Sequence, residues 1–506
     1  MENDPLIRRL HREILFARQR VYAFGSRTPL ETILLPEWDC QLAVKREDRS
    51  PINAYKWRGA CNRMAILDID ERKRGVVTAS AGNHAQGVAL AAALLKIPAK
   101  IFMPVSTPRM KQAAVRKHGV EWVEIELVGN SYDEASHAAH AFSRETNRTF
   151  IHAYDDIQVM GGQGTLADEI VLSGEAPFDT VFLQVGGGGM AAAVAAWLRM
   201  HYPNIEIIGV EGVEQASMAA AIAAGKPVTL DSVDVFCDGT AVRRVGDLTF
   251  SVCRQVVDRW ITVTNESVSA AIAFLWEQLR CIPEPSGAMS VAGALQMMEQ
   301  LRGKRVLTIL CGANMDFEQL QLIAAKAALG ANRRHYLRVP MQEKPGELRR
   351  LLSTLPGDLS IVDLQYGRAH ADRATPIVGV ESTEPVLCVL RQRLAEEGFK
   401  VEEVTDPARL QFRVIRYDTT LMHSPLFLSI EFHERPGALD ELLQVLGARV
   451  SICYFNYAYS GERVGRALIG FDFPDRDAHG EFLNRMERAR GAYRRFTRLE
   501  DVSLFG

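Results

Sequence analysis

The chain lacks an excess of either charge: 59 basic and 62 acidic residues leave a formal net charge of -3 over 506 residues. Such a balance creates no field that would draw in nucleic acid or an anionic membrane. The basic run Arg494–Arg498 reads as a solvated helix or strand face. Long apolar runs are missing too. No segment approaches the roughly 20 apolar residues that cross a bilayer, and the alanine-rich Met190–Leu198 is short and flanked by polar residues. The first residues, MENDPLIRRLHRE, mix acids with bases and hold no apolar signal core. The eight cysteines show no CxxC, zinc spacing or disulfide framework. A reducing cytoplasm is therefore the expected location, with most cysteines in packing roles and no metal site.

What is present is length, patterning and a few unusual loops. At 506 residues, two or three domains are expected. From Val76 to Phe317 short apolar runs alternate with helical periodicity. Val76–Ala79, Lys100–Met103, Glu121–Ile125, Val181–Val185, Ile205–Val210 and Val306–Leu310 read as buried strands. Gln86–Leu95, Met110–His118 and Asp133–Glu145 read as helices. The alternation predicts an α/β fold of mostly parallel sheets with helices on both faces. Active sites of such folds gather at the carboxyl ends of strands. Three Gly-containing turns fall there: Ser80–His84 (SAGNH), Gly186–Met190 (GGGGM) and Cys311–Asn314 (CGAN).

Near Gly330 the pattern changes. Phe317–Leu329 reads as a helix, followed by a polar connector and an internal repeat. Glu343-Lys344-Pro345-Gly346 recurs as Glu434-Arg435-Pro436-Gly437, an offset of 436 − 345 = 91. The same offset relates Leu348, Leu351, Leu352 and Leu355 to Leu439, Leu442, Leu443 and Leu446. It also relates Tyr366 to Tyr457 and Gly379 to Gly470. Each copy reads as strand, Pro-Gly turn, helix, two strands, then helix and strand, with Leu337–Pro340 and Leu426–Glu431 as first strands. This is a split βαβ plan of ferredoxin-like type, and two copies suggest a pseudosymmetric module with a cleft or interface between them. The expected division is 1–329, 335–416 and 425–506.

The chemistry lies in the first part. Lys56, within Ser50–Ala60 (SPINAYKWRGA), would be a surface side chain if it stood alone. Gly59 and Ala60 would let a helix start close to a ligand. Gly186, Gly187, Gly188 and Gly189 follow a strand and precede an alanine-rich helix. Their N–H groups can converge on a phosphate, helped by the helix dipole. Neither P-loop nor dinucleotide spacing is present. Ser80, Ala81 and Gly82 offer N–H groups to a substrate carboxylate. Asn83 can donate to a ring oxygen, although alone it would be an ordinary N-cap. His84 alone would be structural, and Gln163 of Gly161–Thr165 is a further candidate wall. Cys311 could face a pyridine nitrogen or be a small core residue. An amine, a phosphate cradle and ring contacts together are what pyridoxal phosphate (PLP) requires.

These motifs resemble fold-type II PLP enzymes, and within them biosynthetic threonine deaminase. The likeness runs over nearly the whole chain: Thr28–Leu30, Lys45–Asp48 (KRED), Tyr55–Ala60, Ser80–Ala89, Gly161–Thr165, Val185–Met190, Asp238–Gly246 and Glu284–Ala288. The resemblance implies two parallel-sheet α/β lobes followed by paired ACT-like regulatory modules that bind isoleucine and valine, in a homotetramer. It implies Lys56 as Schiff-base lysine and Cα base, Gly186 to Met190 on the phosphate, Asn83 on the ring oxygen and Cys311 at the ring nitrogen. The implied reaction turns threonine into 2-oxobutanoate and ammonia. Two departures stand out: Cys311 where the family has Ser, and Ala54-Tyr55 where it has Ser-Phe. Ala81 stands where serine racemases carry the Ser that acts on the second face, which favours a lyase. Glu211 only partly echoes the racemases' metal position. The competing expectations are elimination from serine, hydroxyaspartate or diaminopropionate, and a non-catalytic amino-acid sensor.

Overall fold

The structure is a computed structural model that describes residues 4–331, 333–404, 413, 415–435, 437–446, 450–459, 464–488 and 493–499. Pro436 and the side chain of Leu446 lie outside the described residues. The chain divides into two compact units, Met1–Gly330 and Ala331–Gly506.

The first unit holds two sheets. One has six strands in the order Leu30–Leu35, Cys40–Arg46, Arg305–Leu310, Thr180–Gln184, Glu206–Gly212 and Arg259–Val263. All neighbours are parallel except the first pair, which forms a hairpin. The other has four parallel strands in the order Val123–Leu127, Ala99–Met103, Val76–Ala79 and Thr149–Phe150. Sequence periodicity finds the inner strands because they are apolar on both faces, as strands covered by helices must be. It places the Val123–Leu127 strand two residues early, at Glu121, because Val120–Trp122 forms a 3-10 turn before the strand begins.

Three helices start where these strands end. Asn83–Leu95 follows Val76–Ala79 and buries most of its alanines, a pattern of good helix formers with no polar face to expose. Gly189–His201 follows Thr180–Gln184, entered through Gly188 at φ +90, a conformation that favours glycine. Trp57–Ala65 starts directly after Lys56. Gly59 serves a different purpose from the one its size suggests. A Cβ there would lie 2.5 Å from Gln163 Nε2 and 2.8 Å from Val159, and one at Gly162 would lie 2.5 Å from Arg58 O. The two glycines let Trp57–Ala65 and Ile157–Leu172 pack backbone to backbone, behind Lys56 rather than toward a ligand.

The second unit is one eight-stranded sheet flanked by the two-stranded pair Met341–Gln342 and Arg373–Ala374. Its centre is the antiparallel pairing of Ser360–Gly367 with Ser451–Ala458. Leu364 faces Tyr457, Gln365 faces Asn456, and Tyr366 faces Phe455. Subtracting 91 from the second partner turns these pairs into 364 with 366, 365 with 365 and 366 with 364. The repeat is thus a two-fold axis through Gln365 and Asn456. The outer strands obey it: Glu402–Glu403 and Arg334–Arg338 on one side match Arg495–Arg498 and Ser424–His433 on the other. The first strand of the first copy is Arg334–Arg338, earlier than the expected Leu337–Pro340, since Pro340 has no N–H for a ladder. Gly346 and Gly437 take φ +91 and +79 at the two turns. Each turn closes with the same bond, Glu347 N to Lys344 O and Ala438 N to Arg435 O, both 3.1 Å. Arg494–Arg498 is an exposed edge, so its charge is solvated.

Candidate active site

The carboxyl ends of strands from both sheets of the first unit open on one cavity of about 1070 Å³. Lys56, Ser80, Ala81, Gly82, Asn83, His84, Gly186 to Gly189, Met190 and Cys311 all line it. Residues up to 255 positions apart (311 − 56) are brought together here because each sits at a strand-to-helix turn. Gln163 is not among them. It is buried in the helix Ile157–Leu172, where its Oε1 accepts the Gly59 N–H at 3.3 Å, so it helps join two helices instead of walling the cavity.

Lys56 reaches the cavity from the turn before its helix. Its Nζ donates to Ala153 O at 2.9 Å and forms no ion pair among the described residues. Burial pulls its pKa down to about 8, with only weak opposition from Cys311 and Glu284. Gly87, on the neighbouring helix, makes room for it: a Cβ there would lie 3.0 Å from Lys56 O.

Opposite runs the glycine bend. The N–H groups of Gly186, Gly187 and Gly188 donate to no backbone acceptor among the described residues, while that of Val185 before them donates to Val210 O. The glycines also fit tightly: a Cβ at Gly187 would strike the Tyr154 ring at 2.3 Å, and one at Gly186 would meet Thr240 at 2.8 Å. The bend is therefore both unpaired toward the cavity and pressed against Tyr154 and Thr240 behind.

The SAGNH turn is held by Ser80, whose Oγ accepts the Gly82 N–H at 3.2 Å. Gly82, not Asn83, is the N-cap. A Cβ at Gly82 would meet nothing within 4 Å, so the turn faces open cavity. Asn83 turns its amide to Glu284 and Asn314. His84 shares its Nε2 with Ile151 O at 3.0 Å, and burial followed by the charge of Lys56 pushes its pKa down to about 3. It is a neutral packing group. Cys311 is buried, donates to Ser286 O at 3.6 Å, and has its thiol pKa driven far up by burial, so it is a neutral thiol. Gln184 Oε1 is buried with no protein partner. Ala54 bridges Gly312, whose Cβ would approach the Ala54 methyl to 3.2 Å.

Motif reading passes over two features. Glu284 enters the site from the start of the helix Pro285–Gln296. Burial, outweighing two hydrogen bonds, raises its pKa to about 8. The other is a buried ionic cluster on the far side of the Lys56 helix. Arg58 grips Glu47 through two bonds of 2.8 Å and Glu169 at 2.6 Å, while Lys45 reaches Glu169 at 2.5 Å and Thr28 O at 2.6 Å. Glu211, the partial echo of a metal position, gives both oxygens to the N–H groups of Met218 and Ala219 at 2.8 Å. Among the described residues no cluster of His, Cys, Asp or Glu fits a metal ion, and no helix is long and apolar enough to cross a membrane. All eight cysteines are free thiols.

The residues present fit PLP: an amine with no ion-pair partner among the described residues, a row of unengaged N–H groups at a helix start, and an orphaned polar atom, Gln184 Oε1, on a residue that lines the same cavity. Fold and site define a fold-type II PLP-dependent enzyme. Residues 21–312 match the family model for pyridoxal-phosphate dependent enzymes, and residues 325–413 and 422–505 match the C-terminal regulatory domain of threonine dehydratase. The chain is 39% identical over 465 residues to a biosynthetic L-threonine dehydratase of Haemophilus influenzae, covering 90% of each chain. It is 37% identical over 473 residues to that of Escherichia coli, covering 91% of this chain and 90% of the other. The processed form of threonine deaminase isoform 2 from Solanum lycopersicum superposes with a TM-score of 0.61 at 39% identity, over 63% of this chain and 88% of that one. The chain belongs to the biosynthetic threonine dehydratase family.

Proposed function

We propose that this chain deaminates L-threonine to 2-oxobutanoate and ammonia at the Lys56 cavity, the entry step of isoleucine synthesis, under amino-acid control through residues 331–506. One observation carries the catalytic half. An amine without a carboxylate partner faces a bend whose N–H groups are unspent.

PLP, when bound, supplies an aldehyde for an amine to capture and a ring that withdraws electrons from the substrate's Cα. The chain does the rest. Gly186 to Gly189 and Met190 hold the phosphate with backbone N–H groups and the helix N-terminus. Lys56, with its pKa near 8, is neutral often enough at working pH that it would hold PLP through the aldehyde and could take the substrate's Cα proton on Nζ. The turn Ser80, Ala81 and Gly82 orients the substrate carboxylate through the Ala81 N–H, which bonds no acceptor among the described residues, while the Ser80 and Gly82 N–H groups, given to Phe102 O and Ser80 Oγ, hold the turn in shape. Asn83 holds the ring oxygen. Cys311 stands at the ring nitrogen as a neutral thiol whose proton is given to Ser286 O, so it does not protonate the ring. An unprotonated ring is a weak electron sink, which suits prompt departure of the β-hydroxyl. Ala81 leaves the second face without an acid.

Each 91-residue copy is one effector module. Support comes from a polar arrangement that repeats. The Tyr366 hydroxyl donates to Glu343 at 2.8 Å, and the Tyr457 hydroxyl to Glu434 at 2.8 Å, next to the two Pro-Gly turns. Isoleucine and valine are the effectors. Their coupling to threonine binding must be reciprocal. The enzyme is cytoplasmic and homotetrameric, with its free cysteines in keeping with a reducing compartment.

The test is product formation from L-threonine, L-serine, hydroxyaspartate and diaminopropionate, repeated with isoleucine. Fastest 2-oxobutanoate release from threonine, slowed by isoleucine, is expected. Turnover of none of the four with PLP bound would leave a sensor rather than a lyase.

A further inference from the structure

Glu284 occupies the N-cap position of the helix Pro285–Gln296, yet its side chain makes no capping bond. It turns away from the helix into the cavity wall, where it is 3% exposed. Its Oε1 accepts from Asn83 Nδ2 at 2.7 Å, and its Oε2 from the Asn314 backbone N–H at 3.0 Å. Asn314 also gives a side-chain N–H to Asn83 Oδ1 at 2.8 Å and another to Ile52 O at 2.7 Å. Both ends of the Asn83 amide are therefore engaged. Turning it over would set nitrogen against the Asn314 nitrogen, a repulsive contact, and oxygen against the Glu284 carboxyl, repulsive when that carboxyl is ionised. One Asn83 N–H remains uncommitted.

The surroundings make room for this carboxyl. A Cβ at Gly312 would fall 2.6 Å from Glu284 Oε1, and one at Gly239 would fall 3.3 Å from it. Among the described residues no basic side chain bonds to Glu284, so an acid is kept in a dry place with two neutral donors as partners. A glutamine would offer one acceptor and would point an NH₂ at the other donor. A group that breaks its local rule, as an uncapping N-cap and an unpaired buried acid, marks a functional position.

We infer that Glu284 is a positioning residue: with Asn314 it clamps the Asn83 amide across the cleft between the two sheets, so that the remaining N–H serves the cofactor's ring oxygen. This rests on the reading of Asn83 given above. Glu284 acts only through Asn83, and its effect is set by the orientation it imposes.

The experiment compares the wild-type holoenzyme with Glu284→Gln, Asn83→Ala and the double variant. It reads the PLP dissociation constant, by titrating the apo chain with PLP, and the visible absorption of the bound cofactor. Thermal unfolding of each apo chain checks the fold. Asn83→Ala should weaken PLP about tenfold and shift the visible band. Glu284→Gln should move both in the same direction by a smaller factor, about threefold. The double variant should match Asn83→Ala alone, because the clamp then has nothing to hold. If Glu284→Gln does not fold, Glu284→Asp, which is too short to reach Asn83, replaces it with the same expectation. Unchanged affinity and spectrum for the Glu284 variant beside a shifted Asn83→Ala would overturn the clamp and spare the Asn83 reading. So would single effects that multiply in the double variant. An Asn83→Ala chain that moves neither readout would remove both.

Discussion

Lys45, buried, and Lys56, half-buried, are lysines of the first unit placed beside one short helix, Trp57–Ala65: Lys45 shares Glu169 with its Arg58, and Lys56 precedes its first residue. Behind the helix Lys45 is locked to Glu169 and Thr28 O, within a cluster in which two cations meet two carboxylates. Against the pull of burial, Arg58 and Lys45 hold Glu169 down at about 2, so Glu169 stays ionised, while burial lowers the pKa of Lys45 against the raising charges of Glu47 and Glu169. In front, Lys56 has a carbonyl for a partner, and burial outweighs the opposing charges of Cys311 and Glu284. The same side chain is made a fixed charge or a reactive amine by whether a carboxylate is within reach. The comparison also assigns labour: the ionic cluster holds Arg58 in the first turn of the helix, and Lys56, two residues earlier at the same end, presents the amine.

The largest effect that separates the two sides is on turnover. Lys56→Ala should lower threonine deamination by at least ~10²–10⁴-fold, the range for losing a base alone, while the chain stays folded. Lys45→Met should instead destabilise the chain. If threonine consumption survived Lys56→Ala, the front side would hold no catalytic amine.

Next comes Arg58→Met, which strands Glu47 and Glu169 in a dry interior. Removing one partner of a buried ion pair costs roughly 3–5 kcal/mol, read as a lowered midpoint in denaturant unfolding. The predicted pattern is a loss of stability, with turnover per folded molecule much less affected than in Lys56→Ala. A stable Arg58→Met chain without activity would mean the cluster tunes chemistry and does not merely hold the helix.

A third test uses pH. The folded pKa of Lys56, about 8, lies below the 10.5 of a free lysine. Between these values the unfolded apo chain carries a proton on Lys56 that the folded one lacks, so stability rises with pH across that window. Below pH 8 both states hold the proton and the full penalty remains. The gain is about 3 kcal/mol. Lys56→Met should abolish this rise, which denaturant unfolding at pH 8 and pH 10.5 would measure. A rise that persists in Lys56→Met belongs to another group.

The front side was legible in the sequence and the rear was not, for a physical reason. Lys56, Ser80–Asn83, Gly186–Gly189 and Cys311 are marked by local backbone needs, since each turn must expose N–H groups at a strand end, and that requirement writes glycine into contiguous letters. The 91-residue repeat was legible for the same reason, because each copy needs a glycine with positive φ before its helix. Thr28, Lys45, Glu47, Arg58 and Glu169 carry no such mark. Up to 141 residues separate partners, so the motifs that contain Thr28, Lys45, Glu47 and Arg58 mark a resemblance without showing that these side chains meet. Gln163 misled because its GGQGT setting looks like a ligand loop, whereas the glycines there serve helix packing. Glu284 stood in the motif Glu284–Ala288 with no role assigned to it, and only the fold shows that its carboxyl leaves the helix it starts.

The smallest expected effect lies at Cys311, and it sharpens the contrast between the two sides. Burial keeps this thiol neutral, and its proton goes to Ser286 O. Cys311→Ser exchanges one neutral donor for another of similar shape, so the ring nitrogen still meets an uncharged group. A hydroxyl bonds more strongly than a thiol, and kcat/KM for threonine should therefore change by less than about tenfold, under ~1.4 kcal/mol, with little movement of the cofactor's visible band. Behind the helix, by contrast, a single neutralising substitution leaves an opposite charge buried and costs several times as much. A hundredfold change in kcat/KM for Cys311→Ser would show that the sulfur shapes the reaction itself, and that the front wall tolerates polar exchange no better than the rear.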